Sequence, residues 1–312
     1  MKVLQTERLL LRWFDERDAA FVLELVNEPS WIANIGDRNV RTLDDARAWI
    51  RDKLVSSYWL HGHGLWAVER RGDGELLGMC GLVQRDALPA ADVGYAFVPR
   101  FWGQGYAREA AGASLRYAFD VLGKRRVLAI VTPENERSIR VLEAIGMARA
   151  GIHRAEGEGI DLALFAAGDE PGANDDRADI DALAGRFFSA FCNRGALPRA
   201  ASLPSMFLPG ASITVVRPGT KSETCGVVDF VTPRAALLFG ERLRDFEEHE
   251  VGARTEVQGS LAWRASRYRK AGVLDGAPYE GGGKKLFALV RTEGGWKIAA
   301  LVWEDSVDPA GE

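Results

Sequence analysis

The fold of the first half of this 312-residue chain is decided by one stretch, Val98-Pro99-Arg100-Phe101-Trp102-Gly103-Gln104-Gly105-Tyr106-Ala107-Arg108-Glu109-Ala110. Two glycines, Gly103 and Gly105, stand between the end of a predicted strand and the start of a predicted helix. Such a turn directs several unpaired main-chain N–H groups at one place, and the positive end of the helix dipole lies behind them. Because glycine has no side chain, an anionic group can approach those N–H groups closely. The stretch therefore predicts a binding site for a pyrophosphate.

Two widespread pyrophosphate motifs do not fit this stretch. A Walker A loop requires Gly-Lys-Ser/Thr where the helix starts, and the stretch contains none. The dinucleotide fingerprint requires a small third residue, where this chain has Arg108. On its own, the pair of glycines is also compatible with an ordinary tight turn.

The residues around the glycine turn alternate between strand and helix patterns, which predicts an α/β domain. Asp15 with Asp18, and Thr42 with Asp45, have the spacing of side chains that cap a helix start. Strands are predicted over residues 8–14, 65–69, 76–83, 92–98 and 127–131, and further helices over 106–122 and 136–145.

The second half of the chain has a different pattern and follows an acidic segment. Residues 168–177 contain four acidic residues and one basic residue, with no apolar period, so they predict a flexible linker between domains 1–167 and 178–312. One helix is predicted over 179–193, and strands follow over 212–216, 245–255, 257–269, 285–291 and 296–303. This order predicts an α+β domain, a cone of curved antiparallel sheet with helices.

The charge distribution argues against a nucleic-acid-binding protein. The chain has 40 basic and 44 acidic residues, and residues 178–312 contain 17 of each. Proteins that bind nucleic acid usually have a concentrated basic face, which this sequence lacks.

The cysteines and histidines indicate neither a disulfide framework nor a metal site. Cys80, Cys192 and Cys225 are widely spaced and form no CxxC pair. His61 and His63 resemble half of a metal site, but no third ligand has a suitable spacing. The chain start lacks an apolar signal-peptide core, and no run approaches the roughly 18 apolar residues of a membrane helix. We expect a cytoplasmic protein without a bound metal or a membrane segment.

Five motifs occur in residues 1–167: Thr6-Glu7-Arg8-Leu9, Gly94-Tyr95, residues 99–110, Asn135-Glu136-Arg137-Ser138 and Gly146-Met147. By their order and spacing, residues 1–167 resemble a GCN5-related N-acetyltransferase (GNAT) of the RimJ/RimL-like branch. Trp102 is shared with that branch, whereas the wider superfamily has Gln or Arg there. The resemblance implies a mixed β-sheet flanked by helices, and an enzyme that transfers an acetyl group to a primary amine.

The same resemblance implies acetyl-CoA as the acetyl donor. Main-chain atoms of Phe97 and Val98 would pair with its pantetheine arm like an added strand. Asn135 would hold the pantetheine from the next helix, although an N-cap role is equally compatible with its position. The remaining cofactor-binding positions implied are Trp102, the N–H groups of Gly103, Gln104, Gly105, Tyr106 and Ala107, and Ser138.

Two residues are candidates for proton transfer. Asp92 matches the family position of the base that accepts the ammonium proton, and a structural or substrate-orienting carboxylate is the alternative. An already neutral amine could also attack without a base. Leu142 stands where many members have a tyrosine acid, so Ser138 becomes the candidate donor to the departing thiolate, with a plain helix-surface role as its alternative.

Residues 178–312 contain the segments Phe187-Phe188, Phe207-Leu208-Pro209-Gly210, Tyr268-Arg269-Lys270-Ala271-Gly272 and Gly294-Gly295-Trp296-Lys297-Ile298. By these segments among others, residues 178–312 resemble the NTF2-like, SnoaL-like superfamily of cone domains. Such domains bind ligands, catalyse reactions or dimerise, so we expect an accessory domain for homodimerisation or ligand binding. We predict that residues 247–250 form an outward charged edge and that Trp263 and Trp303 are core residues.

The sequence thus favours an N-acetyltransferase whose acceptor is a protein N-terminus or a small-molecule amine. One alternative is a non-catalytic protein that senses CoA or another small ligand. Another is that the cone domain is itself the enzyme.

Overall fold

The computed structural model describes residues 1–154, 161–168, 175–217 and 221–306. The chain forms two compact units, Met1–Gly172 (unit 1) and Ala173–Glu312 (unit 2). Of the predicted linker 168–177, residues 169–174 lie outside the described residues; Gly168 ends a strand, and Asp176 begins a helix. Among the helices described, none has the length and apolar character needed to cross a membrane.

In the described part of unit 1, eight strands form one sheet in the order β1-β2-β3-β4-β5-β6-β8-β7. The β5–β6 pair is parallel and the other neighbours are antiparallel, so the predicted mixed sheet is confirmed. The strands are β1 (Lys2–Gln5), β2 (Leu9–Arg12), β3 (Leu65–Arg70), β4 (Leu76–Val83), β5 (Asp92–Phe97), β6 (Arg126–Val131), β7 (Ala148–Arg154) and β8 (Asp161–Gly168).

The helices of unit 1 flank this sheet. Both predicted caps are confirmed, because Asp15 with Asp18, and Thr42 with Asp45, form reciprocal capping boxes. The helices are α1 (Ala19–Val26), α2 (Pro29–Ile35), α3 (Leu43–Trp49), which continues through a π-helical segment (Ile50–Val55) into α4 (Ser56–His61), α5 (Tyr106–Asp120) and α6 (Glu136–Ala144).

Unit 2 contains a six-stranded sheet in its described residues, in the order β10-β9-β14-β13-β12-β11. The predicted antiparallel sheet is confirmed for four of its five strand pairs and corrected for the fifth, because β9 and β14 run parallel. A turn at Gly259-Ser260 separates β11 from β12, which corrects the predicted strand 257–269. The strands are β9 (Phe207–Val216), β10 (Glu223–Gly226), β11 (Leu243–Gln258), β12 (Leu261–Leu274), β13 (Ala277–Thr292) and β14 (Gly295–Ser306).

Two helices, α7 (Asp176–Ser189) and α8 (Val227–Phe239), pack in unit 2. The apolar side chains Ile180, Leu183 and Phe187 of α7 are buried, and the Phe187 ring meets the Phe287 ring of β13 edge-on at 5.1 Å. The sequence did not predict α8, because it contains Pro233 and a proline inside a helix usually breaks it.

The predicted charged edge at residues 247–250 is wrong in part. Successive strand residues alternate between faces, so Glu247 and His249 face outward while Glu248 points inward and is 9% exposed. Glu248 accepts a hydrogen bond from Lys285 of β13, which is itself buried against the Tyr268 ring. Unit 2 therefore contains a buried ion pair.

This ion pair gives a test of the interior of unit 2. Lys285→Ala would leave the Glu248 carboxylate buried without its counter-charge, so we expect the free energy of unfolding to fall by about 3–5 kcal/mol. Replacing both residues with apolar ones, Lys285→Met with Glu248→Leu, should recover most of this loss. Urea denaturation of the full chain measures the change in the free energy of unfolding. Hydrogen exchange in residues 243–306 shows whether the change lies in unit 2. A single-variant loss under about 1 kcal/mol, the usual value for an exposed pair, would contradict the burial of this pair.

Candidate active site

The glycine turn before α5 has the conformation that the sequence predicts. Gly103 has φ +77° and Gly105 has φ +81°, both in the left-handed region that favours glycine. The Glu109 N–H donates to the Gly105 carbonyl at 3.1 Å and closes the first turn of α5. Among the described residues, no side chain caps this helix start. The N–H groups of the first turn can therefore bind an anion.

A polar clamp from the N-terminal segment holds this turn in place. Thr6 Oγ1 donates to Glu109 Oε1 at 2.5 Å, and Arg8 Nε donates to Glu109 Oε2 at 2.6 Å. Arg8 Nη1 donates to the Gln104 carbonyl at 3.0 Å, and its guanidinium lies 4.6 Å from the centre of the Tyr106 ring. Burial opposes ionisation of Glu109, but the hydrogen bonds from Thr6 and Arg8 hold its pKa below the ordinary value. The motif Thr6-Glu7-Arg8-Leu9 thus includes positioning residues, a role that the sequence analysis did not assign.

The parallel strands β5 and β6 diverge next to this turn. They pair at a single position among the described residues, Asp92 opposite Leu128, where the Leu128 N–H donates to the Ala91 carbonyl at 3.0 Å. Antiparallel pairing with β4 uses alternate main-chain groups of β5, so those of Val93, Tyr95 and Phe97 point toward the gap. The gap therefore presents a strand edge to which an extended group can add.

The two residues predicted to pair with pantetheine differ in their main-chain bonds. The Phe97 carbonyl faces the gap and accepts a hydrogen bond from Trp102 Nε1 at 2.7 Å. The Val98 N–H donates to Leu77 and its carbonyl accepts from the Phe101 N–H, both at 3.0 Å. A carbonyl oxygen has two lone pairs, so either carbonyl can still accept a second bond. Trp102 itself is 41% exposed beside the turn.

Asn135 is the N-cap of α6, as one of its two predicted roles requires. Its Oδ1 accepts a hydrogen bond from the Ser138 N–H at 3.1 Å, and its Nδ2 donates to Asn34 Oδ1 at 3.0 Å. These two bonds fix the first turn of α6 and therefore the position of Ser138.

Tyr95 contacts Ser138 directly, a contact that the sequence analysis missed. The Tyr95 hydroxyl lies 2.7 Å from Ser138 Oγ and 3.0 Å from the Ser138 carbonyl oxygen. Burial raises the pKa of the Tyr95 phenol, so it stays protonated. The only sequence signal was the motif Gly94-Tyr95, because residues 43 positions apart show no spacing pattern.

Asp92 occupies the point where β5 and β6 diverge. It is 2% exposed and accepts a hydrogen bond from Arg85 Nε at 3.0 Å. Burial raises the pKa of Asp92 above its ordinary value, against the opposing charges of Arg85 and His153. Because Asp92 and Tyr95 are three residues apart on one strand, their side chains point to opposite faces of the sheet. The structure therefore does not bring Asp92 and Ser138 together on one face.

The sequence comparisons identify the family of unit 1. A family model described as "Acetyltransferase (GNAT) domain" matches residues 8–148. The chain is 35% identical over 150 residues to "Uncharacterized protein YkkB" of Bacillus subtilis (strain 168), covering 46% of this chain and 84% of YkkB. The chain belongs to the GNAT acetyltransferase family. It is also 30% identical over 156 residues to "Uncharacterized N-acetyltransferase YoaA" of that organism, covering 49% of this chain and 86% of YoaA.

A solved structure of a GNAT-family acetyltransferase from Bacillus anthracis is also similar. It is 29% identical, covers 54% of this chain and 98% of its own, and has a TM-score of 0.46. By the family model and the relatives in sequence, unit 1 is a GNAT N-acetyltransferase domain, and members of this family use acetyl-CoA. The family match ends at residue 148, so it does not extend to unit 2.

The pair His61 and His63 has its rings stacked, with centroids 5.9 Å apart. In the part of the chain that the structure describes, no three His, Cys, Asp or Glu residues are grouped to hold a metal ion.

Gly103 provides a test of the anion-binding turn. A Cβ at Gly103 would meet no atom within 4 Å, so the space beside it is open to a ligand. We expect Gly103→Ala to lose most of the thermal stabilisation by CoA, which is about 2.7 kcal/mol at 100 times the dissociation constant.

The matched control for this variant is Gly74→Ala. Gly74 lies in the turn between β3 and β4, has φ +74° and has equally open space around it. Both variants acquire left-handed strain, so both should lower the melting temperature without ligand. An unchanged response to CoA in Gly103→Ala would contradict the anion site at this turn.

Proposed function

We propose that unit 1 transfers the acetyl group of acetyl-CoA to a primary amine, on a protein N-terminus or on a small molecule. The observation that carries this proposal is the gap between β5 and β6, which opens beside a glycine turn with uncapped N–H groups. Acetyl-CoA supplies a thioester. The residues around the gap bind acetyl-CoA, accept the amine proton and donate a hydrogen bond to the departing thiolate.

In this proposal the cofactor lies along the gap. The N–H groups of Gly103, Gln104, Gly105, Tyr106 and Ala107 bind the pyrophosphate, supported by the absence of a side-chain cap in the described residues there. The main chain of Phe97 and Val98 pairs with the pantetheine arm, although part of it already bonds to Trp102, Leu77 and Phe101. Trp102, Asn135 and Ser138 complete the cofactor-binding set.

Asp92 is the proposed general base. A carboxylate with an ordinary pKa is a weak base at neutral pH, and burial makes Asp92 a stronger one. Arg85 and His153 limit this effect because their charges favour the ionised carboxylate. Ser138 is the proposed hydrogen-bond donor to the departing thiolate. Its hydroxyl lies in the first turn of α6, where Asn135 fixes its main chain.

An acceptor screen tests the activity and identifies the amine. Thiol release and acetyl incorporation are measured with N-terminal peptides, polyamines, aminoglycosides and amino acids. The proposal expects release with at least one class. Binding of CoA without release across the panel would instead support the sensor alternative.

The role of Asp92 gives a prediction in which activity and stability change differently. Asp92→Asn keeps the size of the side chain but cannot accept a proton, so the rate should fall about 100-fold or more. In the wild type, activity should fall as pH drops through the native pKa of Asp92, which lies above the ordinary value.

The sign of the stability change follows from the same pKa. A raised native pKa means that the native state binds this proton more tightly than the unfolded chain does. Stability contributed by Asp92 is therefore lost as pH rises through the native pKa. We expect Asp92→Asn to be at least as stable as the wild type near neutral pH, by thermal denaturation. Loss of activity together with a large loss of stability would indicate the structural carboxylate instead.

For unit 2 we propose an NTF2-like cone that forms a homodimer through the outer face of its sheet. Ala265, Leu286 and Val302 lie side by side on β12, β13 and β14. They line an open trough of about 280 Å³, and Leu286 is 48% exposed. Arg267, Lys284 and Glu304 also line this trough, so it has charges of both signs. About a two-fold axis, such a surface is complementary to a second copy of itself.

Leu286→Lys tests this face. A lysine at the centre of the trough would place a charge in the dimer interface, away from water. We therefore expect a dimer to become a monomer in sedimentation analysis. The control is Val228→Lys on α8, where the valine is 46% exposed but lies off the sheet. A monomeric wild type at micromolar concentration, or a dimer that survives Leu286→Lys, would contradict the proposal.

A further inference from the structure

We propose that Tyr95 is a positioning residue that orients the Ser138 hydroxyl toward the sulfur of the departing thiolate. This inference rests on the proposed function, because it concerns the leaving group of the same reaction. Its structural basis is the group of three oxygens formed by the Tyr95 hydroxyl, Ser138 Oγ and the Ser138 carbonyl, at 2.7 Å and 3.0 Å.

The hydrogens of this group can be arranged in two ways. In the first, the Tyr95 hydroxyl donates to the Ser138 carbonyl and Ser138 Oγ donates to Tyr95. In the second, Tyr95 donates to Ser138 Oγ, and the serine hydrogen is free to point elsewhere. The two arrangements differ only by rotation of two hydroxyl groups. A negative charge beside Ser138 favours the second arrangement, because the serine can then donate to it.

Tyr95 also restricts the hydrogen bonds that the Ser138 hydroxyl could otherwise form. A serine in the first turn of a helix readily bonds to a main-chain carbonyl three or four residues earlier. In the second arrangement, one serine lone pair accepts from Tyr95, which fixes the direction left for the serine hydrogen. The Asn135 bond to the Ser138 N–H holds the main chain at the same place. The serine is thus fixed from two elements, β5 and the start of α6.

Tyr95 is not the source of the transferred proton. Because it is largely buried, its phenol resists ionisation. When the amine nitrogen bonds to the acetyl carbon, the carbon–sulfur bond breaks and its electron pair stays on sulfur. Ser138 donates a hydrogen bond to that sulfur, and solvent then supplies the proton that makes the free thiol. The amine proton leaves through the base or through solvent.

The test compares Tyr95→Phe, Ser138→Ala and the double variant in the full-length protein. The first readout is the pKa of the thiol of bound CoA, from the ultraviolet absorbance of its thiolate during a pH titration. A free thiol ionises near pH 8.5. We expect a lower pKa in the wild type and an equal upward shift in all three variants. The second readout is kcat, which should fall about 10- to 100-fold in each single variant, as expected for one hydrogen bond to a charged group.

The double variant separates positioning from a structural role. If Tyr95 acts only through Ser138, the double variant should be no slower than Ser138→Ala alone. The control is Tyr117→Phe, which removes another buried tyrosine hydroxyl of unit 1, next to Trp66, and should leave both readouts unchanged.

Two results would overturn the inference: a wild-type thiol pKa in Tyr95→Phe, or losses in kcat that multiply in the double variant. Failure of the proposed function is distinguishable from both. It would appear as no thiol release by the wild type with any acceptor, while the titration of bound CoA would still report on Tyr95 and Ser138.

Discussion

The divergence of β5 and β6 is the constraint on which unit 1 depends. One main-chain hydrogen bond, from the Leu128 N–H to the Ala91 carbonyl, marks the point where the two strands still meet. Beyond it, β6 pairs with β8 on its other side and β5 with β4. The edge of β5 that faces the gap is therefore open to a ligand that can satisfy main-chain groups in the middle of a sheet.

In the proposed function, the gap also needs a fixed turn at its end to bind the pyrophosphate. Helix dipoles alone contribute about 0.3–1 kcal/mol in exposed settings, so several N–H groups must converge. The clamp from Thr6 and Arg8 to Glu109 fixes the first turn of α5 from the N-terminal segment of the chain. Arg8 also holds the Gln104 carbonyl, which orients the peptide between the two glycines. Arg8 and Glu109 thus contribute by fixing the position of the turn, more than by their net charge.

Local patterns were predictable from the sequence, and long-range contacts were not. The capping boxes at Asp15 and Thr42 and the glycine turn are encoded within a few residues, and the structure has all three. Strand β7 was missed because six of its seven residues are exposed and show no alternation. The contact of Tyr95 with Ser138 and the burial of Glu248 depend on how strands and helices assemble. For the candidate site, the sequence indicated which segments matter but not which side chains meet.

The placement of Asp92 and Ser138 on opposite faces of β5 has a chemical advantage in the proposed mechanism. A base and a hydrogen-bond donor side by side would bond to each other, and the donor would lose its free hydrogen. Here the carboxylate bonds to Arg85, and the serine bonds to Tyr95. Each group therefore has its own partner, and the strand lies between them. The amine proton can leave on one side of the gap while the developing thiolate is stabilised from the other, so neither step depends on the protonation of the other group.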